Sequence, residues 1–207
     1  PWNSPTLVEE LDSTALNTSP YVLPDGLTIY FASERGGAGH DLYRSTRASR
    51  EGAWGAPILV VSPAIGQINQ ADIDDFGPCV TSDESVIIFA SARGGGNDLY
   101  RAENDGTWGL ASIIDASSAG DEKDCWIADD EMSLYFGSSR AGGTGTTNIY
   151  LGRGNGNGKY NANQVDEIVE VNSAGDVTED PWLSADQRTM FLASDRDGGM
   201  DLYMTTR

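Results

Sequence analysis

Apolar positions in this chain fall in short runs of three to six residues, and the same order of runs returns four times. The copies read SPYVLPDGLTIYFASERGGAGHDLY from residue 19, GPCVTSDESVIIFASARGGGNDLY from residue 77, DCWIADDEMSLYFGSSRAGGTGTTNIY from residue 124 and DPWLSADQRTMFLASDRDGGMDLY from residue 180. Each begins with a brief apolar run and an acidic turn. A β-branched and aromatic run follows, then an Arg with a Gly cluster, then Asp or Asn before Leu-Tyr or Ile-Tyr. Runs rich in β-branched and aromatic residues between turn residues read as strands, so 28–32, 86–90, 133–137 and 189–193 are predicted second strands. Pro24-Asp25-Gly26, Asp83, Asp130 and Asp186 mark the turns before them, and the Gly pairs 36–37, 94–95, 142–143 and 198–199 mark the turns after. No segment has the period of a long amphipathic helix.

An aromatic followed by an apolar run predicts a fourth strand after the first three copies: Trp54 before 57–62, Trp108 before 110–115 and Tyr160 before 165–171. Only four residues follow Tyr203, whereas Trp2-NSPTLVEEL has the same pattern ahead of the first copy. Repeat arginines Arg35, Arg93, Arg140 and Arg196 are 58, 47 and 56 residues apart, and wrapping from Arg196 through the end to Arg35 gives 46. Four-stranded units of this size are propeller blades. The expected fold is therefore all-β: a four-bladed β-propeller with four antiparallel strands per blade. It forms one domain over 1–207, closed by 1–18 as the outer strand of the last blade.

At these residues the sequence resembles the WD-like propeller repeat of the TolB type, found in periplasmic and secreted bacterial proteins and in the propellers attached to some peptidases. The resemblance spans all four copies and implies the fold. It leaves function open among protein docking, ligand binding and, in larger chains, catalysis. Propellers of that family usually have six or more blades, and the Pro-Asp-Gly turn is intact here only at Pro24-Asp25-Gly26.

Composition narrows the partners. The 207 residues carry 13 Lys and Arg against 32 Asp and Glu, a formal charge of −19 spread along the chain, so nucleic acid and anionic membrane are poor partners and none is expected. No run approaches the length of a membrane span, so no membrane insertion is expected, and a monomer is. Five Trp and a 39% hydrophobic fraction supply a core despite the acidity. Such a protein suits an extracellular or periplasmic location.

Candidate chemistry is sparse. The repeated pairs Arg35 with Asp41, Arg93 with Asp98, Arg140 with Asn148 and Arg196 with Asp201 bracket the Gly hairpins, and recurrence in every copy makes them structural pins. On the first strands, Tyr21, Cys79, Trp126 and Trp182 share one position, and Val22, Val80, Ile127 and Leu183 the next. Alternation sends the two sets to opposite faces, which places the aliphatic set between blades and the aromatic set at the channel mouth. Tyr21, Trp126 and Trp182 there either plug the axis or form a platform for a sugar ring or an apolar peptide side chain.

Asp124 and Asp180 share a register with Ser19 and Gly77, where an axial Ca²⁺ or Na⁺ is the expected ion if one binds. The 72–75 acidic run and His40 read as surface features. Cys79 and Cys125 lie on neighbouring first strands, either as two thiols or as a disulfide, which an oxidising compartment would permit. No Gly-x-Ser-x-Gly, P-loop or His-Glu-x-x-His is present, and the chain holds one His. Three expectations follow. The first is a non-catalytic module binding a glycan or peptide at the channel mouth; the second is a glycan hydrolase or lyase using carboxylates there; the third is a structural or docking domain of a larger protein.

Overall fold

The computed structural model describes residues 4–62 and 67–207. Fifteen strands form four antiparallel sheets, each a blade built by sequential hairpins. Blade 1 contains β1 (Asn17–Val22), β2 (Thr28–Ser33), β3 (Asp41–Thr46) and β4 (Ile58–Leu59). Blade 2 contains β5 (Asp75–Val80), β6 (Val86–Ser91), β7 (Asp98–Glu103) and β8 (Ser112–Ile113). Blade 3 contains β9 (Glu122–Ile127), β10 (Ser133–Ser138), β11 (Asn148–Gly154) and β12 (Tyr160–Glu167), and blade 4 contains β13 (Thr178–Leu183), β14 (Thr189–Ser194) and β15 (Asp201–Thr206). The arrangement is the expected all-β propeller of four blades.

Both faces of these sheets are apolar, and three cores fill the spaces between consecutive blades. Tyr30, Ala32 and Leu42 of blade 1 meet Val80, Ile87, Phe89 and Tyr100 of blade 2. Cys79, Ile88 and Leu99 of blade 2 meet Ile127, Leu134 and Phe136 of blade 3, and Trp126, Tyr135 and Ile149 of blade 3 meet Leu183, Met190 and Leu192 of blade 4. Charge-assisted pairs reinforce two of the junctions. Arg44 donates twice to Glu84 at 2.6 and 2.7 Å, and Arg101 twice to Glu131 at 2.8 and 2.9 Å. The bond from Arg44 holds the Glu84 carboxyl below its ordinary pKa. A disulfide joins Cys79 of β5 to Cys125 of β9, with Cα atoms 5.6 Å apart, and so ties the inner edges of blades 2 and 3.

The repeated arginines act on the loops that enter each blade. Their Nε atoms donate to Ser33, Ser91, Ser138 and Ser194 on the second strands. Their Nη2 atoms donate to the carbonyls of Leu11, Ile68, Ala116 and Val171, the residues leading into the inner strands. The acids that pair with them are buried Asp75, 2.6 Å from Arg93, and buried Glu122, 3.4 Å from Arg140. Asp41 and Asp98 are instead wedged beside Gly36 and Gly94, where a Cβ would meet their Oδ2 atoms at 2.6 and 2.8 Å. Asn148 bonds Gly145 within its own hairpin, at 2.7 and 3.1 Å, and Asp201 pairs with Ser194 in the blade 4 ladder.

Two surface expectations and the ring closure need correction. Asp75 at the end of the acidic run is fully buried, because Arg93 and the Gln70 N–H satisfy its carboxylate. Asp74 accepts from the His40 N–H at 2.9 Å and lies 2.9 Å from its Nδ1, so the hairpin of blade 1 is fastened to blade 2. The ring closure also differs. Trp2 lies outside the described residues, and residues 4–11 form no strand with β15, leaving blade 4 three-stranded. The segment is held on blade 1 instead: Arg35 bonds the Leu11 carbonyl at 2.6 Å, and Leu11 packs on Ile29 and Phe31. The inner strands pack in the sequence β1, β5, β9, β13, and among the described residues nothing comparable joins β13 to β1.

Removing the disulfide releases a crosslink spanning 46 positions. Substituting both Cys79 and Cys125 with Ala should lower the unfolding free energy by about 2 to 4 kcal/mol. Denaturant titrations of both forms check this, and coincident curves would deny the bridge a stabilising role.

Candidate binding site at the channel mouth

Each inner strand starts with a bulge, where Ser19, Gly77, Asp124 and Asp180 take φ values of 51°, 58°, 53° and 53°. This is the left-handed region, open to Gly at no steric cost and to Asp or Ser at a modest one. The bulge turns these four residues towards the axis, where they line a cavity of about 140 Å³. The shared register of Ser, Gly, Asp and Asp was therefore a backbone signal.

Asp124 and Asp180 both line this narrow cavity. Burial, with the neighbouring Asp180 charge, pushes the Asp124 carboxyl up to about 7, and burial raises Asp180 as well. A proton on either carboxyl relieves the repulsion between the two. Lys123 Nζ stands 3.5 Å from Asp124 and 2.7 Å from Glu179, supplying positive charge where an axial cation was expected. Among the described residues no group of three or more His, Cys, Asp or Glu side chains is arranged for a metal ion. Ca²⁺ there would need most of its six to eight oxygens from carbonyls and water.

At the other end of the inner strands lies a wider cavity of about 520 Å³. Tyr21, Trp126 and Trp182 from three blades line it together with Asp129, Asp130 and Gln187. Convergence of the three aromatics follows from their shared register, but their orientation differs from simple alternation. In a propeller both sheet faces are covered by neighbours, so the aromatic set also packs between blades. Trp126 is only 7% exposed and sits edge-on to Tyr135, with ring centroids 5.8 Å apart. Cys79, in the same register, is consumed by the disulfide. Tyr21 packs against all three inter-blade cores, and burial raises its hydroxyl pKa, which keeps it neutral.

Trp182 alone presents a large free face, being 49% exposed beside Phe191 at 5.8 Å. Asp129, overlooked in the sequence, is clamped across the cavity rim by Ser82, whose N–H and Oγ both donate to it at 2.7 Å. Its signal was an acid immediately before the turn acid, where the other copies have Pro24, Ser82 and Ala185.

The buried carboxyl gives a pH dependence with a definite sign. Asp124 binds its proton more tightly folded than unfolded, where its pKa is about 3.9. Stability from that proton is complete below this value and is lost as pH rises through about 7. Asp124→Asn keeps a neutral group, so between pH 5 and 8 the variant should lose less stability than the parent, by about 1 to 3 kcal/mol. Parallel melting curves across that range would contradict the shift.

With this geometry in place, comparison with known proteins bears on the fold. No family model matches the chain, and no curated protein matches it by sequence. Solved structures do. A putative TolB from Agrobacterium tumefaciens superposes with TM-score 0.61 at 14% identity, covering 91% of this chain and 60% of that one. TolB from Acinetobacter baumannii gives 0.62 at 18%, covering 95% and 42%, and an endo-arabinase from Bacteroides thetaiotaomicron gives 0.62 at 12%, covering 91% and 73%. This chain thus spans about two-fifths to three-fifths of the two TolB chains, and at such identities the likeness is one of propeller fold.

Proposed function

We propose that this protein is a non-catalytic binding module whose ligand, a glycan, stacks at the channel mouth. The observation that carries this is the convergence of Tyr21, Trp126 and Trp182 from three blades on one cavity rimmed by Asp129 and Asp130. Aromatic faces match the apolar face of a pyranose ring, while rim carboxylates accept from its hydroxyls. The cavity lies within the range of small-ligand sites. A disulfide between inner strands and the strongly acidic composition support an extracellular or periplasmic setting. A second reading, docking to protein, is favoured by the apolar face left uncovered on blade 4.

Trp182 is the residue to test, because truncating the buried Trp126 would also open the core. A glycan array supplies the best-binding oligosaccharide, and titration calorimetry then compares parent, Trp182→Ala and Asp129→Asn. Trp182→Ala should weaken binding by about 1 to 3 kcal/mol with the fold retained, as for a truncated aromatic anchor. Unchanged affinity in a folded Trp182→Ala protein would move the ligand away from the cavity. Release of new reducing ends from the bound oligosaccharide would replace the binding module by a hydrolase.

A further inference from the structure

The hairpin that joins β11 to β12 contains the sequence Asn155-Gly156-Asn157-Gly158, which holds both Asn-Gly pairs of the chain. In such a pair the side-chain amide carbon and the next backbone nitrogen meet with little hindrance, because glycine has no Cβ to block the approach. Both asparagines are exposed, yet their surroundings differ. Asn155 Oδ1 accepts from the Asn157 N–H at 3.0 Å and from the Lys159 N–H at 3.3 Å, which fixes that side chain across the turn. The Asn157 side chain holds no hydrogen bond among the described residues, and neither does the Gly158 N–H that follows it.

Gly158 is tightly seated. Its φ is 69°, in the left-handed region, and a Cβ on it would run into the Arg101 guanidinium. Arg101 is the clamp between blades 2 and 3, bonding Glu131 at 2.8 and 2.9 Å and Glu103 at 2.6 Å. A Cβ on Gly156 would meet the Asp130 carbonyl and the Met132 sulfur at 3.5 and 3.6 Å. The hairpin therefore rests on the turn of blade 3 that carries Asp130 and Glu131, and on the arginine that ties this turn to blade 2.

We propose that Asn157 is a site of spontaneous covalent modification, at which the side-chain amide is exchanged for a carboxylate through a cyclic imide formed with Gly158. The Gly158 nitrogen attacks Asn157 Cγ and a C–N bond forms, while the attacking nitrogen gives its proton to water and the side-chain nitrogen leaves as ammonia. Water then adds to either carbonyl of the five-membered ring and breaks that carbon's bond to the ring nitrogen. One route gives an ordinary aspartate. The other gives an isoaspartate, whose main chain runs through Cβ and Cγ and is longer by one carbon. Water is the only co-reactant. Asn155 is spared, because swinging its Cγ towards the Gly156 nitrogen breaks both hydrogen bonds that its Oδ1 accepts. Either product places a new carboxylate next to the seat of Gly158 on Arg101, and the isoaspartate also displaces Gly158 along it. Arg101 then has an acceptor that competes with Glu131, which loosens the clamp between blades 2 and 3.

The test is incubation of the full chain at mildly alkaline pH and body temperature, followed by peptide mass spectrometry, beside a short unstructured peptide of the same hairpin sequence. The hairpin of the protein should gain the mass of an amide-to-acid exchange, and fragment ions should place it at Asn157, converted about tenfold or more faster than Asn155. Isoaspartate should be present among the products, read from its distinct backbone fragments. Asn157→Gln, which would have to close a larger ring, should keep its mass over the same period. The acidic form, separated by anion exchange, should melt a few degrees below the parent. Equal conversion of the two asparagines would overturn the proposal. So would an unaltered Asn157 in the folded chain after the free peptide has converted fully, and a separated acidic form that melts with the parent would overturn the link to Arg101. None of these readings depends on what occupies the channel mouth.

Discussion

Each blade of this protein is a sheet with two apolar faces, and such a sheet is stable only when neighbours cover both. That requirement organises nearly everything else in the structure. It sets the Ile, Phe and Tyr positions of the second and third strands, which interdigitate in three cores. It also explains why the repeated arginines reach past their own hairpins to the carbonyls of the incoming loops. They fix where each blade begins relative to its sheet, and so align one face with the next. Blades 2 and 3, covered on both sides and joined by the Cys79–Cys125 bond, are the best-supported part of the row.

The same constraint governs the candidate site. Side chains that face neighbouring blades also reach the axis where the inner strands converge, so an aromatic such as Trp126 serves packing and lines the cavity at once. Opposite to it, the bulges of the inner strands bring Asp124 and Asp180 together in a narrow space, where burial raises the pKa of both carboxyls.

Much of this was legible in the sequence, because blade units repeat and repetition exposes register. The second and third strands were readable from 28–32 and its counterparts, and so was the common position of Tyr21, Trp126 and Trp182. What was not legible depended on relations between blades. Alternation along a strand gives two faces, but it does not say that both faces of every sheet will be buried, so the aromatic set was read as turned wholly to the channel. Asp75 looked like part of a solvated run because its partner Arg93 lies 18 residues away across a hairpin. The N-terminal pattern was read as that of an outer strand, whereas residues 4–11 form none. Pattern alone could not show that Arg35 anchors Leu11 to blade 1 while blade 4 stays out of reach.

The central claim is that blades support one another through their covered faces, and that among the described residues blade 4 is covered by blade 3 alone. Amide hydrogen exchange read by mass spectrometry tests it directly. Peptides from β14 and β15 should exchange much faster than the corresponding peptides from β6, β7, β10 and β11. Equal protection of all four blades would contradict the account.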